Sequence, residues 1–175
     1  MLNFENIELN GLDNTGKEKK FRLSDLKGKN IVLYFYPKDG TSICTKEAEN
    51  FRDSLKKFPK DTVVIGVSPD TLESHKEFFK KHKLNFHILS DTEYKLAKAF
   101  KNLKEDISDR VEETKAKLND AKIKMKKTFK KEQNIPVTMR STFIIGKDGK
   151  LLKEMRDIDI KGHVDEIVEY IKNIK

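Results

Sequence analysis

Cys44 is the single cysteine of a 175-residue chain, and its neighbours decide what that thiol can do. It stands in Tyr36-Pro-Lys-Asp-Gly-Thr-Ser-Ile-Cys-Thr-Lys-Glu-Ala48, where an apolar run, Ile31 to Tyr36, breaks at Pro37 and a helix is expected from Thr41 or Ser42. The cysteine then falls in the first helical turn, beside unpaired N–H groups and the positive end of the dipole, both of which favour a thiolate. Thr41 lies three residues earlier, so its hydroxyl reaches the thiolate or an oxygen of a bound substrate. Pro37 has no N–H and is placed to wall one side of a pocket. Without such context a lone cysteine is an inert small hydrophobe, but this spacing makes a nucleophile. One cysteine forms no internal disulfide, excludes every cysteine-based zinc framework and every C-x-x-C motif, and fits a reducing compartment. His75, His82, His87 and His163 lack H-E-x-x-H or related spacing and are read as surface or packing residues, so no metal is expected.

The elements that must position this site alternate. Ile7 and Leu9, a turn over Gly11 to Gly16, Phe21 and Leu23, and then Ile31 to Tyr36 read as strands. The helix after Pro37 runs to about Phe58 with Ala48, Phe51, Leu55 and Phe58 on one face, and Pro59 stops it. Thr62 to Val67 is a second buried strand, followed by Ser68-Pro-Asp70, which could line the site or simply open a helix, and by a helix from about Thr71 to His82 with Leu72, Phe78 and Phe79 inward. Phe86 to Leu89 is a short strand, and Glu93 to Phe100 a short helix burying Leu96, Ala97 and Phe100. Strand alternating with helix is the α/β signature. Near the end, Thr142 to Ile145 and Leu151-Leu152 flank an Asp-Gly turn as a hairpin, and Val164 to Ile174 closes the chain as a helix with Val164, Ile167, Val168 and Ile171 inward.

From Lys104 to about Lys131 there is no Gly or Pro, and Ile107, Val111, Thr114, Leu118, Ala121, Met125 and Thr128 step by four and three. That spacing predicts a helix of roughly 42 Å with one narrow stripe, acidic at its start and basic at its end. Two readings stand: the stripe packs on its own domain, or it pairs with a second copy as in a coiled coil.

Composition narrows the function. Basic residues number 37 against 29 acidic, for a net charge of +8, yet only five of the 37 are Arg. Lysine in bulk solubilises a surface more than it recognises phosphate, so nucleic acid is disfavoured as a partner. The longest apolar run, Ile31 to Pro37, is far below the length of a membrane span. The N-terminus has neither the basic flank nor the apolar segment of a secretory signal, which points to the cytoplasm. The length suits one domain over 1–175 with an insertion at about 104–131.

The block Pro37-x-x-x-Thr41-x-x-Cys44 resembles the peroxiredoxin active-site motif, and Tyr36-Pro-Lys-Asp with Cys44-Thr-Lys-Glu-Ala is similar to the Q-type, bacterioferritin-comigratory subgroup. The resemblance covers about residues 5–100 and 138–172. It implies a thioredoxin-like α/β fold of peroxiredoxin type, a central mixed sheet flanked by helices, with the charged helix inserted. It also implies a thiol peroxidase without a cofactor, in which Cys44 attacks the O–O bond of a hydroperoxide, Thr41 orients the peroxide, Pro37 shapes the pocket and Arg140 favours the thiolate. Glu47, one turn after Cys44, either orients that arginine or is an ordinary first-turn acid complementing the dipole.

Two departures from the subgroup bear on mechanism. The usual resolving cysteine, five residues after the first, is Glu49 here, which implies one-Cys chemistry with an external reductant such as thioredoxin, glutaredoxin or a small thiol. The usual glycine before the cysteine is Ile43, which would narrow access. The expected assembly is a monomer or homodimer. The alternative is a non-catalytic interaction or holdase protein that keeps the fold and binds through helix 104–131.

Overall fold

A computed structural model of the protein describes residues 4–104 and 136–174. The predicted helix over 104–131 therefore lies outside the described residues, apart from Lys104, which is in a short strand.

In chain order the elements are β1 (Leu9–Leu12), β2 (Glu18–Phe21), β3 (Asn30–Phe35), α1 (Ser42–Ser54), β4 (Thr62–Ser68), α2 (Leu72–Lys81), β5 (His87–Ser90), α3 (Lys95–Ala99), β6 (Leu103–Lys104), β7 (Val137–Thr138), β8 (Ser141–Ile145), β9 (Leu151–Arg156) and α4 (His163–Lys172). Seven strands form one mixed sheet in the order β2-β1-β5-β4-β3-β8-β9, and β6 pairs with β7 apart from it. The β3–β4 and β4–β5 pairs are parallel, joined by the crossovers through α1 and α2, while β8 runs antiparallel to β3.

Every residue of β3 is buried because both faces of the sheet are covered, which is why the sequence shows an unbroken apolar run there instead of alternation. One face presents Val32, Tyr34, Val64, Ile88 and Ile144 to α1, α2 and α4, through Ala48, Phe51, Phe78, Val164, Ile167, Val168 and Ile171. Tyr34 stacks on Phe51 with ring centroids 4.4 Å apart, fixing α1 over the sheet. The opposite face gathers Leu33, Phe35, Ile65, Val67 and Phe143 with Leu96, Ala97 and Phe100.

The expected elements are present with adjusted limits. The predicted turn over Gly11 to Gly16 starts at Asp13 instead, whose Oδ1 accepts from Thr15 N and Lys17 N, because Gly11 belongs to β1. A Cβ on Gly11 would lie 2.4 Å from the Ile88 carbonyl oxygen of β5, so strand packing, and not turn geometry, requires glycine there. Leu23, read as strand, starts a 3₁₀ turn over Leu23–Leu26. The helix expected to reach Phe58 is α-helical only to Ser54 and continues as a 3₁₀ turn over Leu55–Lys57 before Pro59. Of the three α2 residues read as inward, Phe78 is buried and Leu72 and Phe79 are half-buried, while His75 is the fully buried one.

Candidate active site

Thr41 is the N-cap of α1, extended at φ −71° and ψ 151°, and its carbonyl accepts from Thr45 N at 2.9 Å. Cys44 is therefore the third helical residue, as its position in the sequence predicts, and it is only 1 % exposed. Three residues on, Glu47 comes from the same face of α1 and is also 1 % exposed.

The third member arrives from the other side of the sheet order. The register pairs Phe35 of β3 with Ser141 of β8, which sets Arg140 level with the point where the chain leaves β3 for the cysteine loop. The segment before Arg140 is pinned: Asn102, fully buried, donates through Nδ2 to the Met139 carbonyl at 2.9 Å, and Met139 N donates to the Asn102 carbonyl at 3.1 Å. Arg140 then donates from Nη2 to Cys44 Sγ at 3.2 Å and from Nη1 to Glu47 Oε2. One planar guanidinium thus joins the sulfur and the carboxylate, which a lysine could not do with a single point charge.

The electrostatics follow from burial. Loss of solvent pushes the Glu47 carboxyl up to about 7, against the pull of Arg140 beside it. Burial also opposes the charge on Arg140, but Glu47 and Cys44 outweigh it and the guanidinium is held more firmly protonated than usual. The second Glu47 oxygen, Oε1, is buried with no hydrogen-bond partner among the described residues.

Of the residues singled out by sequence, Cys44, Arg140 and Glu47 come together in direct contact. Pro37 and Arg140 line one shallow surface groove with Val137, Thr138, Met139 and Ile158. Thr41 is exposed, and its hydroxyl makes no cap bond and donates to the Lys38 carbonyl at 3.4 Å. Ile43 is 55 % exposed. Ser68-Pro-Asp70 supports the loop: Asp70 Oδ2 accepts from Asp39 N and from Ser68 Oγ, each at 2.7 Å. Sequence reasoning missed two groups, Asn102 and the pair Asp39 and His75, whose ring Nδ1 lies 2.7 Å from the carboxylate. A histidine three residues after Leu72 and three before Phe78, on the apolar stripe of a helix, was the available signal for the pair. Asn102 carries no such pattern.

Comparison with known proteins agrees with this geometry. The AhpC/TSA family model matches residues 3–153. Peroxiredoxin Bcp of Bacillus subtilis is 46 % identical over 154 residues, covering 87 % of this chain and 84 % of the relative. A solved structure of the Xanthomonas campestris bacterioferritin comigratory protein, described for its alkyl peroxide reduction activity, superposes with a TM-score of 0.74 at 26 % identity, over 97 % of this chain and 92 % of that one. A mutant of Xylella fastidiosa PrxQ gives a TM-score of 0.74 at 29 % identity, over 97 % and 89 %. With a matching sequence across most of its length, the same fold, and a buried thiol bonded to arginine at the head of α1, this chain belongs to the AhpC/TSA family and is a peroxiredoxin.

Proposed function

We propose that Cys44 is the nucleophile of this thiol peroxidase and that Arg140, Thr41, Pro37 and Glu47 complete its site. The observation that carries the reading is the 3.2 Å bond from Arg140 Nη2 to Cys44 Sγ, which stabilises a thiolate and then the negative charge growing on the leaving oxygen. The sulfur attacks the distal oxygen of a hydroperoxide, an S–O bond forms as the O–O bond breaks, and water or an alcohol leaves with the proton lost by the thiol. Cys44 is left as the sulfenic acid. Thr41, at the head of the helix, turns its exposed hydroxyl from the Lys38 carbonyl to the incoming peroxide. Pro37 bounds the groove that leads to Arg140, and Glu47 fixes the guanidinium from the far side.

The substrates are hydrogen peroxide or an alkyl hydroperoxide, the latter in line with the Xanthomonas relative. The chain has one cysteine, so the second half of the cycle needs an outside thiol: one condenses with the sulfenic acid to a mixed disulfide and releases water, and a second restores Cys44. Thioredoxin, glutaredoxin or a small thiol would serve. No helix among the described residues is long and apolar enough to cross a membrane, which fits the proposed cytoplasmic setting. The interaction-protein alternative is not favoured, since the chain matches peroxiredoxins over most of its length.

Intact mass after one equivalent of peroxide, with thiol trapping, tests the assignment. One oxygen should add at Cys44 and block trapping, and Cys44→Ser should consume no peroxide. An unmodified thiol, or turnover that survives the substitution, would reject it.

A further inference from the structure

The loop over residues 37–41 links β3 to α1 and delivers both Thr41 and the first turn that holds Cys44. Little apolar packing fixes it. Lys38, Gly40 and Thr41 are exposed, and a Cβ built on Gly40, whose φ is +74°, would meet nothing within 4 Å. Asp39 differs: its side chain is only 6 % exposed.

Among the described residues, the hydrogen bonds from this loop to α2 and to the turn between β4 and α2 all run through Asp39. Its backbone N donates to Asp70 Oδ2 at 2.7 Å, Ser74 Oγ donates to its Oδ2 at 2.8 Å, and His75 Nδ1 lies 2.7 Å from that same oxygen. Tyr36 OH donates to Oδ1 at 2.7 Å, which ties the loop to the end of the buried strand as well. His75 is itself 0 % exposed, and its Nε2 faces the Leu89 carbonyl of β5 at 3.1 Å. Both ring nitrogens thus face polar oxygens. Removing Asp39 leaves His75 Nδ1 buried and unpaired, and removing His75 takes away the contact that ties Asp39 to the core side of α2.

We propose that Asp39 and His75 form a latch that positions the Thr41 loop and the first turn of α1 for in-line attack of Cys44 on peroxide. They are positioning residues, acting through the loop and not on the reacting atoms. The inference rests on the roles given above to Cys44 and Thr41. Displacing a reacting group by about 1 Å costs on the order of 10²-fold in rate, so a loosened loop is read directly in the chemistry.

The test compares two reactions of the same sulfur in the whole chain. Sulfenylation by hydrogen peroxide needs the thiolate, access and an aligned O–O bond, whereas alkylation by iodoacetamide needs only the first two. Both second-order rate constants are measured for the wild type, His75→Gln and Asp39→Asn, with circular dichroism to verify folding. The ratio of peroxide to iodoacetamide rates should fall about tenfold or more in each folded variant. A ratio that falls by less than that overturns the latch, because a merely structural role would move both rates together. Should His75→Gln fail to fold, Asp39→Asn carries the test, being nearly isosteric and in a surface loop. A wild-type protein that is alkylated but not oxidised would overturn the nucleophile assignment, and the latch with it.

Discussion

At the scale of residues, the site is an arginine shared between a sulfur and a buried carboxyl, and the carboxyl has a consequence for stability. Glu47 is 1 % exposed and its carboxyl is raised from 4.5 to about 7, because burial disfavours the charged form more than Arg140 favours it. A folded value above the unfolded one means that the folded protein binds the proton more tightly. The contribution to stability is therefore fully present below about pH 4.5 and is lost as pH rises through 7. The loss amounts to something on the order of 3 kcal/mol. Glu47→Gln, which keeps an acceptor for Arg140 but has no proton to lose, should flatten that fall between pH 5 and pH 8. Urea denaturation at the two pH values measures it, and an equal slope in both proteins would show that Glu47 is not its source. The position of Cys44 was legible from sequence because the head of a helix is a local feature. The contact between Arg140 and Glu47 stood in the sequence only as one of two readings of Glu47, since 93 residues separate them and only the register of β3 with β8 brings them together.

At the scale of elements, the sequence pattern located most helices and strands but mistook why one glycine is present. Gly11 was read as part of a turn, and it is the place where β1 lies close to β5. A Cβ there would sit 2.4 Å from the Ile88 carbonyl oxygen and 3.2 Å from Leu89 Cα, both backbone atoms that cannot swing aside. Gly11→Ala must spread the two strands, at a cost of about 1–3 kcal/mol for overpacking. Chemical denaturation should register that loss. An undiminished midpoint would mean that the sheet is looser at this edge than its register implies. The ends of α1 and α2 shifted for an ordinary reason: capping and the last helical turn are decided by hydrogen bonds that apolar periodicity does not encode. The sequence reads His75 only as a surface or packing residue, because its partner, Asp39, is 36 residues away along the chain and 2.7 Å away in space.

At the scale of the molecule, the decisive fact is one cysteine in 175 residues, because it sets what α1 must do during the cycle. In the wild type no internal disulfide forms, so nothing requires α1 to open once Cys44 is oxidised. Glu49, half-buried where the subgroup has its second cysteine, lies 3.2 Å from His82 Nδ1 and holds the middle of α1 to the end of α2. Five residues of helix separate positions 44 and 49 by about 7.5 Å along the axis alone, already beyond the ~7 Å that two Cα atoms of a disulfide can span. Glu49→Cys would therefore form a bridge to Cys44 only by unwinding the first turns of α1. The half-buried hydrogen bond given up is worth about 1 kcal/mol, so the reduced variant should fold normally. On adding one equivalent of peroxide, the variant should lose helical circular dichroism and both free thiols, and dithiothreitol should restore them. The wild type should keep its helical signal as the sulfenic acid, and excess peroxide should carry it on to the sulfinic acid, two oxygens heavier and not recovered by dithiothreitol. A bridge in the variant with no change in helix content would mean that positions 44 and 49 can meet without unwinding α1, against the distance argument.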